Sequence, residues 1–291
     1  DAAIEGDLIA CLSRPDMAPD YLAPTAASLL RADPSFQRLL ARSDDADSRA
    51  MQLDEPVRRQ LARPLFLLLL ENTVVAEPDF ERLIAKLRRA AILAWSERAH
   101  RGDAAPGNAA LREVLAAIAH QCFLSEYLQE EREDEARIVE QLRAELAAQL
   151  AAARPVNEAE IALFSCYRPL ASLQGAHALP ASSASIAGRL VMRQVREPAE
   201  EAGIAAGIKQ LTPISDEVSR AVQAQYEEHP YPRWLRAPST GGAYPLARRL
   251  RTLFPHAGKA GAVPERPSLL IAGCGTAGDV AIPARLTPGG R

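Results

Sequence analysis

Leu269-Leu270-Ile271-Ala272-Gly273-Cys274-Gly275-Thr276-Ala277-Gly278 is a short apolar run that stops on glycines. With Pro267 just ahead of it, the segment 268–272 reads as a buried parallel strand, because strands covered on both faces are continuously apolar rather than alternating. The glycines that follow let the backbone turn sharply and approach a ligand with no Cβ in the way. A helix opening after such a loop would present unpaired N–H groups to that ligand. The same residues also suit a tight strand-to-helix turn with nothing bound. Taken literally, Gly273, Gly275 and Gly278 satisfy G-x-G-x-x-G, the fingerprint of a dinucleotide site in an NAD(P)- or FAD-dependent enzyme. The acidic residue that holds a ribose belongs about 20 residues further on, and the sequence reaches Arg291 first.

Moving back from this loop, Pro245 to Phe254 predicts a short helix behind a Gly-rich turn. Ser215 is placed to cap a helix carrying Val218, Val222 and Tyr226, which Pro230 ends. The Ala-, Ser- and Gly-rich stretch from 171 to about 209 reads as a linker or loosely packed connection, with some strand near Arg189 to Val195.

The first two-thirds read as helices joined by short breaks. Tyr21 to Arg42 is interrupted at Asp33-Pro34, where Asp33 suits an N-cap and Pro34 a first turn. A second stretch, Glu55 to Glu71, ends in the run Leu65 to Leu70, too short to span a bilayer and better read as buried helix. Glu77-Pro78-Asp79 opens an amphipathic helix whose apolar positions are Phe80, Leu83, Ile84, Leu87, Ala91 and Trp95, with Arg82, Lys86, Arg88 and Arg89 between them. Gly102 to Gly107 reads as a loop. The stripe Leu111, Val114, Leu115, Ile118, Cys122 predicts another helix face. The acidic run Glu130 to Glu135 interrupts that helix or opens the next, which carries Ile138, Leu142, Leu146 and Leu150, and it reads as a solvated face or turn. Asn157 followed by Glu160 resembles a capping box ahead of Ile161, Leu163, Phe164 and Tyr167, with Pro169 closing the helix. No repeat of fixed period emerges.

Composition narrows the function classes. Aromatic residues are only 5% while Ala and Leu dominate, which favours helix over strand. The net charge of −3 and the lack of a Lys/Arg cluster interleaved with aromatics argue against a nucleic-acid groove or a basic membrane face. Cys11, Cys122, Cys166 and Cys274 are widely spaced and make no metal-ligand pair, as expected of reduced thiols in a cytoplasmic protein. His120 and Cys122 stand two apart on a helix and do not share a face, so they are no metal site. The chain opens on Asp1 with no secretory signal, as a sequence whose true start lies upstream would.

Two strings in order carry a family resemblance. Gln225-Tyr226-Glu227-Glu228-His229-Pro230-Tyr231-Pro232-Arg233-Trp234 is followed by Ile271-Ala272-Gly273-Cys274-Gly275-Thr276. Together they resemble a bacterial family of class I S-adenosylmethionine (SAM)-dependent methyltransferases that carry a helical, often tetratricopeptide-repeat, region ahead of the catalytic domain. The segments Ala119 to Tyr127 and Tyr167-Arg168-Pro169-Leu170 also look like that helical region, so the resemblance covers most of the chain. It implies a mainly α-helical domain over 1–205 and the beginning of an α/β, Rossmann-like domain over 206–291. It further implies methyl transfer from SAM to an unidentified acceptor, with a possible protein partner at the helical region. Gly273, Cys274, Gly275, Thr276, Ala277 and Gly278 would border the cofactor. Tyr226, Glu228, His229, Tyr231, Arg233 and Trp234 would wall the pocket. This chain departs from the family strings at His229, where asparagine is usual, and at Ala277, where the third glycine arrives one place late as Gly278. The text 279–291, with Pro283 and Pro288-Gly289-Gly290, makes a poor first helix, so the resemblance implies a truncated or frame-shifted end and a chain inactive by itself.

Plainer readings stand beside these roles. Pro230 and Pro232 suit a helix stop, and Tyr231 and Trp234 suit packing anchors. Glu227 and Glu228 suit solvated carboxylates at a helix end, or one of them a base. His229 suits a turn, and Cys274 a small buried residue rather than a nucleophile. A helical protein-interaction module with a degenerate C-terminal portion is a third reading, beside the methyltransferase and the dinucleotide enzyme.

Overall fold

A computed structural model of the chain describes residues 2–42, 55–101, 109–208, 215–228, 235–236, 246–255, 268 and 270. The chain divides into two compact units, Asp1–Leu12 with Asp20–Pro213, and Ser13–Pro19 with Ile214–Arg291. Among the described residues every regular element is a helix, and none is long and apolar enough to cross a membrane.

The first unit opens with α1 (Ala2–Ser13), α2 (Ala23–Ala32) and α3 (Pro34–Arg42). The break between α2 and α3 falls where the sequence places it. The Asp33 carboxylate accepts the N–H groups of Ser35 (2.7 Å) and Phe36 (3.3 Å), while Pro34 fills a first-turn position that lacks an N–H partner in any helix. The next stretch is two helices rather than one, α4 (Glu55–Leu61) and α5 (Pro64–Asn72), divided at Pro64. Arg63 at that joint donates to Glu5 of α1 (2.9 and 3.0 Å) and to Asp33 (2.9 Å), tying three helix ends together.

Helix α6 (Pro78–Arg101) buries Phe80, Leu83, Ile84, Leu87, Ala91 and Trp95, the stripe its period requires. The rings of Phe36, Phe66 and Phe80 meet at centroid distances of 5.3, 5.6 and 6.4 Å and join α3, α5 and α6. Aromatic pairs of this kind add about 0.5–1.5 kcal/mol each beyond their buried area.

Helix α7 (Ala109–Leu124) is the centre of the unit. Its residues Val114 to Leu124 are all buried, not only the expected stripe, and it packs against α5, α9 (Glu158–Ser165) and α10 (Ile186–Val191). Ala116, Ala117 and Ala119 leave room for this many neighbours. The helix stops on two left-handed residues, Glu126 (φ 52°) and Tyr127 (φ 56°), with the Tyr127 N–H closing back on the Cys122 carbonyl at 2.8 Å. Helix α8 (Glu133–Ala151) lies against α6 and α9. Asn157 caps α9 by accepting the Ala159 N–H (2.8 Å). Glu160 does not complete a capping box; its carboxylate accepts the Trp95 indole N–H instead (3.1 Å).

Up to Val195 the stretch read as a linker is a packed part of this unit, whereas residues 197–207 are helical but bury none of their side chains. Two 3-10 turns (Leu170–Ser172 and Ala176–Ala178) lead into α10, a π-helical turn (Met192–Arg196) and α11 (Glu197–Gly207). Residues 189–195, where some strand was expected, are helical, and Leu170, Leu173, Leu179, Ile186, Leu190 and Val191 are buried. Short 3-10 and π segments break the 3.6-residue period, so the apolar spacing there matches no single template. Gly188 also misleads. It marks a close approach inside a helix, where a Cβ would stand 2.4 Å from the Ser182 carbonyl oxygen, and its N–H donates to the capping Ser185 hydroxyl at 3.0 Å.

The second unit contains α12 (Glu217–Glu228) and α13 (Leu246–Leu253), close to the expected spans. Asp216, not Ser215, caps α12 by accepting the Ser219 N–H at 2.8 Å. Of the expected strand 268–272, only Ser268 and Leu270 are described; neither lies in a regular element, and Leu270 is 95% exposed. The remaining strand residues, the loop 273–278 and the loop expected at Gly102 to Gly107 lie outside the described residues.

The Gly188 contact yields a direct check. Gly188→Ala should lower the unfolding free energy in urea by about 1–3 kcal/mol, the usual cost of forcing a methyl group into filled space. Unchanged stability would mean that α10 does not approach the Ser182 backbone this closely.

Candidate functional site

Of the residues expected to wall a cofactor pocket, Tyr226 and Glu228 fall on α12 near its end. Tyr226 is 65% exposed. Glu227 accepts a hydrogen bond from Gln223 one turn back (2.6 Å), as a solvated helix-end carboxylate does. His229, Tyr231, Arg233 and Trp234 lie outside the described residues, as do Gly273, Cys274, Gly275, Thr276, Ala277 and Gly278. Of these residues only Tyr226 and Glu228 are among those described, and two places apart on one helix they do not share a face.

Charged chemistry is concentrated instead inside the helical unit, in two buried clusters. The first is centred on Arg88, 2% exposed on α6. Its guanidinium donates to the carbonyls of Glu130 (2.6 Å) and Cys166 (3.3 Å) and lies over the Tyr167 ring, 4.3 Å from the centroid. The Tyr167 hydroxyl donates to Glu135 (2.8 Å). The other Glu135 oxygen accepts the Arg132 N–H at the start of α8 (3.1 Å) and faces Arg89 at 3.2 Å. Arg89 also clasps Asp134 (3.0 and 2.7 Å), and that hydrogen-bonded pair holds the Asp134 carboxyl down at about 2. Burial, with the Glu135 carboxylate beside it, pushes the Tyr167 hydroxyl well above its ordinary range, so it stays a donor.

This cluster corrects the reading of Glu130 to Glu135 as a solvated run. Glu135 is buried, and Glu131 pairs with Arg168 at 2.7 and 3.0 Å. Arg88 was grouped with the polar residues of α6, yet it stands four residues after Ile84 and four before Ile92, inside the apolar stripe. That spacing is the signal by which it could have been found.

The second cluster joins α5, α7, α10 and the π-helical turn. His120 is fully buried on α7; its Nε2 lies 3.2 Å from the Ile186 carbonyl and its Nδ1 lies 2.7 Å from Arg193. A guanidinium can only donate, so Nδ1 accepts and Nε2 carries the proton toward Ile186. Arg193 also donates to the Glu71 carbonyl (2.7 Å), and Arg189 grips the buried Glu71 carboxylate (2.5 and 2.9 Å). Beside it, the Gln121 amide donates to the Thr73 carbonyl (2.8 Å) and accepts the Val75 N–H (3.1 Å). The sequence suggested only that His120 and Cys122 do not form a metal site together. Among the described residues no group of three or more His, Cys, Asp or Glu side chains is arranged to hold a metal ion.

Burial pushes the Cys122 thiol up to about 11 and the Cys166 thiol well above its ordinary value, so both stay protonated at neutral pH and are poor nucleophiles. His120 has both ring nitrogens engaged within the fold. What these groups do is fix how helices meet, since a buried donor or acceptor left without its partner costs about 1–3 kcal/mol.

Burial first, and then the positive charges of Arg193 and Arg189, hold the His120 imidazole well below 6.5. The neutral ring is thus favoured in the folded chain. Its contribution to stability is complete above pH 6.5, and is lost as pH falls because the unfolded chain takes up a proton that the folded chain resists. Denaturant titrations should therefore show stability declining from pH 6.5 toward about 5, before the ordinary carboxylate range is reached. His120→Gln, which keeps one acceptor and one donor, should flatten that decline. An unaltered slope in the variant would remove His120 from the cluster.

Comparison of the chain with protein-family models, with curated proteins and with solved structures returned no significant match.

Proposed function

We propose that this chain belongs to a SAM-dependent methyltransferase of the cytoplasm, with the glycine loop 273–278 as its cofactor element and the helical unit as a scaffold or partner-recognition region. The observation that carries this reading is the order of two strings along the sequence. Gln225 to Trp234, with its Tyr-Glu-Glu and Pro-Tyr-Pro-Arg-Trp elements, precedes Ile271 to Thr276, an apolar run entering glycines. Opening an α/β domain, such a run would deliver backbone N–H groups and an unobstructed main chain to a ligand.

The chemistry asked of such a site is positional. SAM supplies an activated methyl group, and the protein must hold it in line with the acceptor and keep water away. Gly273, Cys274, Gly275, Thr276, Ala277 and Gly278 would border the methionine or ribose portion. Tyr226, Glu228, His229, Tyr231, Arg233 and Trp234 would form a wall with two prolines to stiffen it. The acceptor is unidentified. The buried, mutually engaged polar groups of the helical unit support a division of labour in which that unit contributes shape rather than reactive groups.

A second reading, a helical protein-interaction module, is favoured by one observation. The first unit holds a continuous apolar core of its own, from Leu8 to Val195, enough to fold and present a surface without help from the second.

Photo-crosslinking of the full chain with radiolabelled SAM, at concentrations that register weak binding, tests the proposal. Labelling should be displaced by S-adenosylhomocysteine, resist NAD(P), and disappear in Gly275→Val. Displacement by NAD(P) would shift the loop to a dinucleotide enzyme. Labelling indifferent to Gly275→Val would leave the interaction module as the better account.

A further inference from the structure

One buried side chain holds a single segment at both ends. From α7, the His120 Nε2–H reaches the Ile186 carbonyl at the start of α10 (3.2 Å), and Nδ1 accepts from Arg193 in the π-helical turn (2.7 Å). Both bonds require the neutral ring. A protonated imidazole donates from both nitrogens, so its Nδ1 would set a donor against the donors of Arg193.

The charges around the ring oppose protonation while the segment is docked. Arg193 faces it from the π-helical turn and Arg189 from α10. The Glu71 carboxylate on α5 is taken up by Arg189 and its carbonyl by Arg193, and Glu113 on α7 acts on Arg189. From α9 the uncharged Ser165 meets Gln194 (2.8 Å).

The segment is also built to open separately. Helix α10 has six residues, the π-helical turn follows at once, and α11 buries none of its side chains. Its apolar anchors are Ile186, Leu190, Val191 and Val195. Helix α6, by contrast, runs for 24 residues and buries its stripe from Phe80 to Trp95. Segments with few buried anchors open at less cost than the whole fold.

We propose that His120 is an acid-sensitive latch: the neutral ring docks α10 and the π-helical turn on α5 and α7, and its protonation releases that segment while the rest of the helical unit stays folded. Global unfolding also exposes His120, so a decline in overall stability accompanies either event; the latch adds that this segment opens first and uncovers its apolar anchors. The device lies within the helical unit and stands whether or not the chain binds SAM.

Hydrogen exchange of the full chain, read by mass spectrometry at several low urea concentrations between pH 6.5 and 5, tests the proposal. After correction for the intrinsic pH dependence of exchange, amides of 187–196 should open with a smaller urea dependence than those of α6, since less surface is exposed. Their protection should fall by about tenfold per pH unit, one proton taken up on opening, in a window above the ordinary carboxylate range. His120→Gln should keep the separate opening and lose its pH dependence. His177→Gln, on an exposed turn nearby, should leave that dependence intact. Amides of 187–196 that share the protection and urea dependence of α6 would overturn the proposal, because the segment would then open only with the whole unit. A separate opening without pH dependence in the parent, with the same dependence in His120→Gln, or with its dependence lost in His177→Gln, would overturn it equally.

Discussion

A guanidinium with almost no access to water has to find its partners within the fold, and Arg88, of which the Nε alone goes without one, imposes that demand on the helical unit. Its donors reach the carbonyls of Glu130 and Cys166, which belong to segments more than 30 residues apart in sequence. Its flat face rests on Tyr167. The loop ahead of α8, the end of α9 and the middle of α6 must all sit where one side chain can serve them. Tyr167, Glu135 and Arg89 extend the same constraint to the start of α8. Apolar contacts could slide by a turn with modest loss; this set of directed bonds cannot.

The His120 cluster applies the same logic at the other side of α7. Glu71 and its carbonyl, at the end of α5, are held by Arg189 and Arg193 from α10 and the π-helical turn. The π-helical turn widens the helix by one residue just where Arg193 and Gln194 must both turn inward. Gln194 accepts from the Ser165 hydroxyl at 2.8 Å and from the Leu170 N–H at 2.9 Å, so the turn also anchors the 3-10 segment that follows α9. Between these clusters α7 contributes small and apolar side chains, with His120 and Gln121 as its buried polar exceptions. The unit is therefore an apolar core with two polar rivets through it, each buried at its centre, at Arg88 and Glu135 in one and at His120 and Glu71 in the other, and reaching solvent at Asp134 and Arg189.

Much of the helical unit was legible in the sequence, and the reasons are local. Asp33-Pro34, Asn157 and the stripe from Phe80 to Trp95 act over a few residues, and capping and periodicity are short-range effects. What could not be read depends on distant partners. Arg88, Glu135 and His120 look like surface residues until the carbonyls and rings that receive them are brought near by the fold. The 170–207 region failed for a different reason. Its turns change period every few residues up to Arg196, and Gly188 there marks a close approach rather than a flexible joint, whereas the Ala and Gly residues of α11 are exposed. Of the cofactor site, the glycine loop was legible only as a motif. Tyr226 and Glu228 fall at the end of the helix expected to carry them, and the residues that would complete the pocket are not among those described.

If the buried guanidinium governs how α6, α8 and α9 meet, removing it should cost more than its apolar replacement returns. Arg88→Met supplies a side chain of similar length that fits an apolar interior, but leaves the Glu130 and Cys166 carbonyls without their donor. Urea unfolding of this variant should show a loss of at least about 2 kcal/mol relative to the parent, the penalty of buried acceptors left unmet. A variant equal to the parent, or more stable, would contradict the account, because apolar packing alone would then suffice to set the helices.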